Sequence, residues 1–162
     1  MLQKLKMKLK DQKGLTLIEL LAVIVILGII AAIAVPSILG LIDNTKKDAH
    51  VANAQQMVNS AKMAIASDAN LQEYPIAFLD LKYLQDKKYL ETVEDPDNEG
   101  YKIGTSTGVL TNLTETDAVS FVKIEKGKVT AVKLVNATRG VQDSTKNPLP
   151  PTGLVRGSVN PK

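Results

Sequence analysis

From Leu20 to Ile42 the chain runs for 23 residues without a charged side chain. As an α-helix rising ~1.5 Å per residue this stretch reaches about 34 Å, longer than the roughly 30 Å hydrocarbon core of a bilayer. Ahead of it, residues 1–14 hold five lysines (Lys4, Lys6, Lys8, Lys10, Lys13) against Asp11. That bias keeps the N-terminus in the cytoplasm and sends the remainder across. One residue fits badly: Glu19, at the start of the run. A carboxylate inside a membrane helix costs on the order of 2.5–3.5 kcal/mol at the centre and less near the interface. No basic side chain lies between Glu19 and Pro36, so its partner must come from outside the helix or be made by cutting the chain.

Three readings compete. A cleaved secretory signal would use residues 15–31 as its apolar region and Ala32-Ile33-Ala34 as its cleavage site. A plain single-pass anchor explains length and orientation and leaves Glu19 unexplained. The third rests on the whole stretch KGLTLIELLAVIVILGIIAAIAVP, residues 13–36. It resembles the N-terminal signature of type IV prepilins and type II secretion pseudopilins: basic leader, glycine, apolar residue, Thr-Leu-Ile-Glu, then an apolar helix with a proline. Leu15 departs from the phenylalanine commonest at its place.

The resemblance implies that a membrane prepilin peptidase and methyltransferase cuts between Gly14 and Leu15 and methylates the new amino group of Leu15. Thr16 and Glu19 then fall in the assembly segment. Glu19 of one subunit would neutralise the amino end of a neighbour, pairing in a filament a charge that is unpaired in a loose subunit. Gly28 and Pro36, which weaken a helix by the backbone entropy glycine loses and the donor proline lacks, bracket a stretch that the resemblance expects to bend or unwind on packing. The implied partners are the peptidase, the membrane, other pilin subunits in a homopolymer, and a pilus assembly platform protein.

Roughly 120 residues remain for a water-facing domain with a small core. With two phenylalanines, four tyrosines and no tryptophan, that core rests on Val, Ile, Leu and Ala. The absence of cysteine removes disulfides, thiolate nucleophiles and thiolate metal sites. The net charge of +3 conceals opposed blocks: −7 over residues 68–117 and +6 over residues 118–162. Such blocks can meet within a subunit or between neighbours.

The helical pattern continues past Ile42. Val51, Ala54, Val58, Ala61 and Ile65 recur at spacings of three and four, widened by Met57 and Ala64, with Asp48, Gln55, Asn59 and Lys62 opposite. One helix from about Leu15 to Ser67 is expected, its second half laying one face on the domain. His50, the single histidine, is read as structural or solvated. Phe78, Leu81, Leu84 and Leu90 suggest a short helix after Pro75. Residues 94–100, EDPDNEG, form a turn by composition. Asp95, Asp97, Glu99 and Gly100 fall at the first, third, fifth and sixth places of an EF-hand loop, but the twelfth is Ser106, which cannot supply the bidentate ligand. The loop is therefore read as an acidic turn, with no metal assigned and these three acids as the calcium alternative.

Strands are expected over residues 101–113, 118–125 and 128–136, the last two as a hairpin across Lys126-Gly127. Residues 138–162 read as a flexible polar tail. Leu149-Pro150-Pro151-Thr152-Gly153 matches the LPxTG sequence read by sortases, without the membrane segment and basic tail that retain such a substrate. Asn112 and Asn136 begin N-glycosylation sequons.

The expected fold is α+β: a long N-terminal helix packed on a small antiparallel sheet, pilin-like. Its parts are a leader (1–14), a transmembrane and filament-core helix (15–42), a globular head (43–137) and a tail. With one histidine and no nucleophile or phosphate motif, no enzyme and no cofactor are expected. The leading reading is a filament subunit stored in the membrane and assembled at the cell surface, for adhesion and motility or for DNA uptake in competence. Lys123, Lys126, Lys128 and Lys133 are its DNA-facing candidates. The alternatives are a secretion pseudopilin and an exported binding module with an ordinary signal.

Overall fold

The uncharged run and the amphipathic stripe fall in one helix, α1 (Leu2–Ser67), in the computed structural model of the chain. The structure describes residues 16–161 other than 106–107 and 115–117, together with the helical backbone of residues 2–15. Packing divides the chain into two compact units, residues 1–43 and residues 44–162.

The N-terminal unit is helix alone, the fold that pairs backbone groups within the segment as a membrane span requires, although Pro36 has no N–H to contribute. Its large apolar side chains from Leu17 to Ile42 are exposed. The helix runs without interruption through Gly28 and Pro36.

In the second unit the stripe is buried as its spacing demands: Ala54, Met57, Val58, Ala61, Ala64 and Ile65 are core residues, while Gln55, Asn59 and Lys62 face solvent. After a short α2 (Asn70–Glu73) come β1 (Ala77–Asp80), α3 (Leu81–Asp86), β2 (Phe121–Glu125), β3 (Lys128–Val135), β4 (Arg139–Val141) and β5 (Val159–Pro161). The five strands form one antiparallel sheet in the order β1-β2-β3-β4-β5. Ala77, Leu79, Val122, Ile124, Val132, Leu134, Val141 and Val159 join the stripe in a single core. Phe78 and Phe121 lie outside that cluster and meet edge to face, ring centroids 5.3 Å apart.

Three local results refine the sequence reading. The β2–β3 hairpin turns at Lys126 and Gly127, both at positive φ (48° and 71°), the backbone a two-residue turn needs to match strand twist. Its register places Phe121 opposite Lys133 and Val122 opposite Val132. It shifts by one between Lys123 and Ile124, so that Thr130 is the extra residue of a bulge. The segment after Pro75 begins as a strand, because all four residues of β1 are buried and a strand covered on both faces shows no alternation. Asp80 then caps α3, its Oδ1 accepting the Tyr83 amide at 2.7 Å.

Two expectations are corrected. The expected flexible tail over residues 138–162 is ordered through residue 161: it supplies β4 and β5 and buries Val141, Gln142, Ser158 and Val159. Composition failed there because three-residue strands draw their stability from neighbouring backbone and need no apolar run of their own. The described part of residues 101–113 holds no strand, only a bridge from Leu110 to Phe78.

Truncating the stripe tests this packing. Met57→Ala should cost about 2–4 kcal/mol in urea unfolding, whereas Asn59→Ala on the solvent face should stay within about 0.5 kcal/mol.

Candidate functional site

Two places in the chain carry chemistry, one in each unit. In the N-terminal unit, Thr16 and Glu19 stand one turn apart on α1, both exposed, ahead of the charge-free run. Gly28 has open space where a Cβ would stand. Gly14 and the side chain of Leu15, between which the cut is expected, lie outside the described residues. Within the described residues, Thr16–Ser67 is the one helix long and apolar enough to cross a membrane.

In the second unit the acidic turn is tied to two other elements. Asp95 organises it locally: Oδ1 accepts the Asp97 amide at 3.1 Å and Oδ2 the Glu99 amide at 3.2 Å. Asn98 and Gly100 take the positive φ (60° and 77°) that such a tight turn imposes. From α1, His50 is fully buried; its Nε2 lies 3.0 Å from Asp97 Oδ2 and 3.8 Å from Asp95 Oδ1. Its Nδ1 is 2.9 Å from the Tyr101 hydroxyl, which also receives Asn53 Nδ2 at 2.9 Å. Tyr101 donating to Nδ1 and Nε2–H donating to Asp97 would satisfy every member of this chain. Lys46 Nζ lies 3.3 Å from Asp97 Oδ1, and Arg139 Nε 2.9 Å from Asp97 Oδ2. Asn136, fully buried, places Nδ2 3.1 and 3.0 Å from the two Asp95 oxygens and 3.1 Å from Asp97 Oδ2. No buried side-chain polar atom among the described residues lacks a partner.

Electrostatics follow from this crowding. Burial pushes the Asp97 carboxyl up, but hydrogen bonds from His50, Asn136 and Lys46 and the charge of Arg139 outweigh it and hold Asp97 below the usual carboxylate value. Burial pushes the Tyr101 hydroxyl up, against a lowering by Asn53, with Asp95 and Asp97 adding to the rise; it stays a neutral donor.

The structure thus brings together Asp95 and Asp97 of the expected acidic trio and leaves the Glu99 side chain exposed. His50, Asn136 and Arg139 join them. His50 was legible, since it stands four residues before Ala54 and extends the buried stripe by one turn. Asn136 and Arg139 were not, because only the fold carries the β3–β4 connection to the turn. Of the lysines read as a DNA face, Lys133 is buried and donates to the Lys146 carbonyl at 2.8 Å. Lys123 pairs with Glu125 at 2.8 Å. The sortase-like stretch is folded in, Leu149 exchanging both backbone hydrogen bonds with Val132. Asn136, as a buried donor to two carboxylates, is closed to glycan attachment in the folded chain.

A carboxyl depressed in the folded state stabilises above its unfolded value, about 3.9, and that contribution is lost as pH falls through the folded value. Acid unfolding followed by tyrosine circular dichroism should therefore steepen below about pH 4, and Asp97→Asn should be less stable at neutral pH with a flatter acid limb.

No curated protein and no solved structure matches the chain. Residues 9–35 match the family described as the prokaryotic N-terminal methylation motif. That match spans the lysines next to Gly14, the Thr-Leu-Ile-Glu run and most of the charge-free helix. The chain thus carries the N-terminal methylation motif, the type IV prepilin signature, at residues 9–35.

Proposed function

We propose that this chain is a structural subunit of a type IV pilus-like filament, held in the membrane as a prepilin, cut between Gly14 and Leu15, methylated at Leu15 and polymerised. The observation that carries the reading is the methylation motif at residues 9–35, with Glu19 as the lone acid of an otherwise uncharged span. Before cutting, the apolar side chains from Leu17 to Ile42, exposed in the single chain, are covered by lipid. After assembly they are covered by the same helices of neighbouring subunits, in a heterologous contact that repeats without closing. Glu19 supplies register: a misaligned helix leaves its carboxylate away from the neighbour's Leu15 ammonium, in a medium where an unpaired charge is expensive.

The fitting machinery is a prepilin peptidase and methyltransferase, an assembly platform protein in the membrane, and further pilin subunits. By the resemblance some secretion pseudopilins bind calcium, and a filament exposed at the cell surface for adhesion and motility or for DNA uptake is favoured over that reading because the acidic turn is engaged by side chains of the chain itself. DNA contact would rest on Lys126 and Lys128, the exposed lysines of the candidate set.

Mass spectrometry of the mature protein should find N-methyl-leucine at Leu15. A first residue at Val35, or an uncut Met1, would replace this reading with an ordinary signal or anchor. Gly14→Ala should abolish cutting, and Glu19→Val should give cut, membrane-held subunits with filaments reduced at least ~10-fold in sheared fractions, the factor that 1.4 kcal/mol of lost pairing alone would produce. Normal filaments from Glu19→Val would contradict the pairing.

A further inference from the structure

Turns with acids at first, third and fifth places fold around divalent cations because converging carboxylates repel until a positive centre joins them. In this chain the carboxylates of Asp95 and Asp97 converge in that manner, and the Asp95 side chain wraps the turn by accepting the amides of Asp97 and Glu99. What stands between them is protein. Asn136 Nδ2 reaches both Asp95 oxygens and Asp97 Oδ2 at 3.0–3.1 Å. Arg139 Nε reaches Asp97 Oδ2 at 2.9 Å, His50 Nε2 the same oxygen at 3.0 Å, and Lys46 Nζ the Asp97 Oδ1 at 3.3 Å. All four carboxylate oxygens are thereby contacted by donors, and the two negative charges face the two fixed positive charges of Lys46 and Arg139. A divalent ion entering here would have to displace Asn136 and Arg139 and would leave the site with excess positive charge.

We propose that Asn136 and Arg139, backed by His50 and Lys46, occupy in this chain the place of the cation in an acidic loop, clasping residues 94–101 to α1 and to the β3–β4 connection without a bound ion. The Asn136 side chain is built for the role from both ends. Its Oδ1 accepts the amides of Thr138 and Arg139 at 2.9 and 2.8 Å, which fixes the connection and aims Nδ2 at the carboxylates. Only Asp95 and Asp97 remain acidic within the clasp. The Glu99 carboxylate, third in the loop pattern, stays exposed, consistent with a cluster that needs no third anionic ligand.

The test is thermal unfolding of the full chain in nonionic detergent, read by near-ultraviolet tyrosine circular dichroism, in EDTA, in 5 mM calcium chloride and in 0.1 mM zinc chloride, concentrations of about these magnitudes being ample for extracellular-type sites. Wild-type protein should melt at the same temperature in all three. Asn136→Asp combined with Arg139→Ser keeps the Oδ1 acceptor but exchanges the internal donors for a third carboxylate. In EDTA it should melt about 5 °C lower or more, and calcium should restore a large part of that loss. Arg139→Ser alone should be destabilised in EDTA with a smaller calcium response. A wild-type midpoint raised by calcium or zinc by more than about 3 °C would overturn the proposal by showing that the cluster takes an ion. Equal loss of stability in the double variant with and without calcium would overturn it by showing that these donors do not stand in a cation's place. Should the double variant fail to fold, the wild-type comparison and Arg139→Ser decide.

Discussion

The face of α1 between Ala54 and Ile65 is the surface on which the globular unit is built. Six side chains along about three turns, Ala54, Met57, Val58, Ala61, Ala64 and Ile65, are buried with the inner residues of all five strands in one core. Burying a large apolar side chain is worth about 1.5–3 kcal/mol, and no other described element presents as long an apolar face. Alanine stands at three of the six positions, each of them fully buried. A larger residue there would have to displace strands that already meet each other in fixed register.

Where the apolar stripe ends, polar contacts take over. The turns of α1 from Lys46 to Asn53 are held by His50, Lys46 and Asn53 to residues 94–101, and by a two-pronged pair of Asp48 with Arg156, whose Nε lies 2.7 Å from Asp48 Oδ1. These two attachments differ in worth. The Asp48–Arg156 pair is exposed and screened, and such pairs contribute little. The Asp95–Asp97 clasp is buried, with no unsatisfied atom, and a satisfied network of this kind penalises the removal of any one member more than its own contact energy suggests.

The N-terminal unit obeys the opposite rule. Its apolar side chains are exposed in the single chain, which in water would be a severe liability. They make sense only in a medium that covers them, whether lipid or the helices of other subunits. In the function proposed above, the segment that carries the prepilin signature at residues 9–35 is used twice, first in lipid and then in the filament. In that proposal Glu19 is the position where the two uses place different demands, since lipid offers its carboxylate no partner.

Local pattern determined much of this protein. The charge-free run, the lysines before it, the signature around Glu19, the three-and-four spacing of the stripe and the turn at Lys126-Gly127 are short-range features, and a helix or a two-residue turn is settled within a few residues of itself. Tertiary structure alone decided three matters. It made β1 a strand, because a run buried on both faces has no period to read. It drew residues 139–141 and 159–161 into the sheet, because strands as short as β4 and β5 are stabilised by the backbone they pair with. And it brought Asn136 and Arg139 some forty residues along the chain to Asp95 and Asp97, because the charge balance around carboxylates turned inward is set by whatever the topology carries to them, and no sequence spacing encodes that meeting.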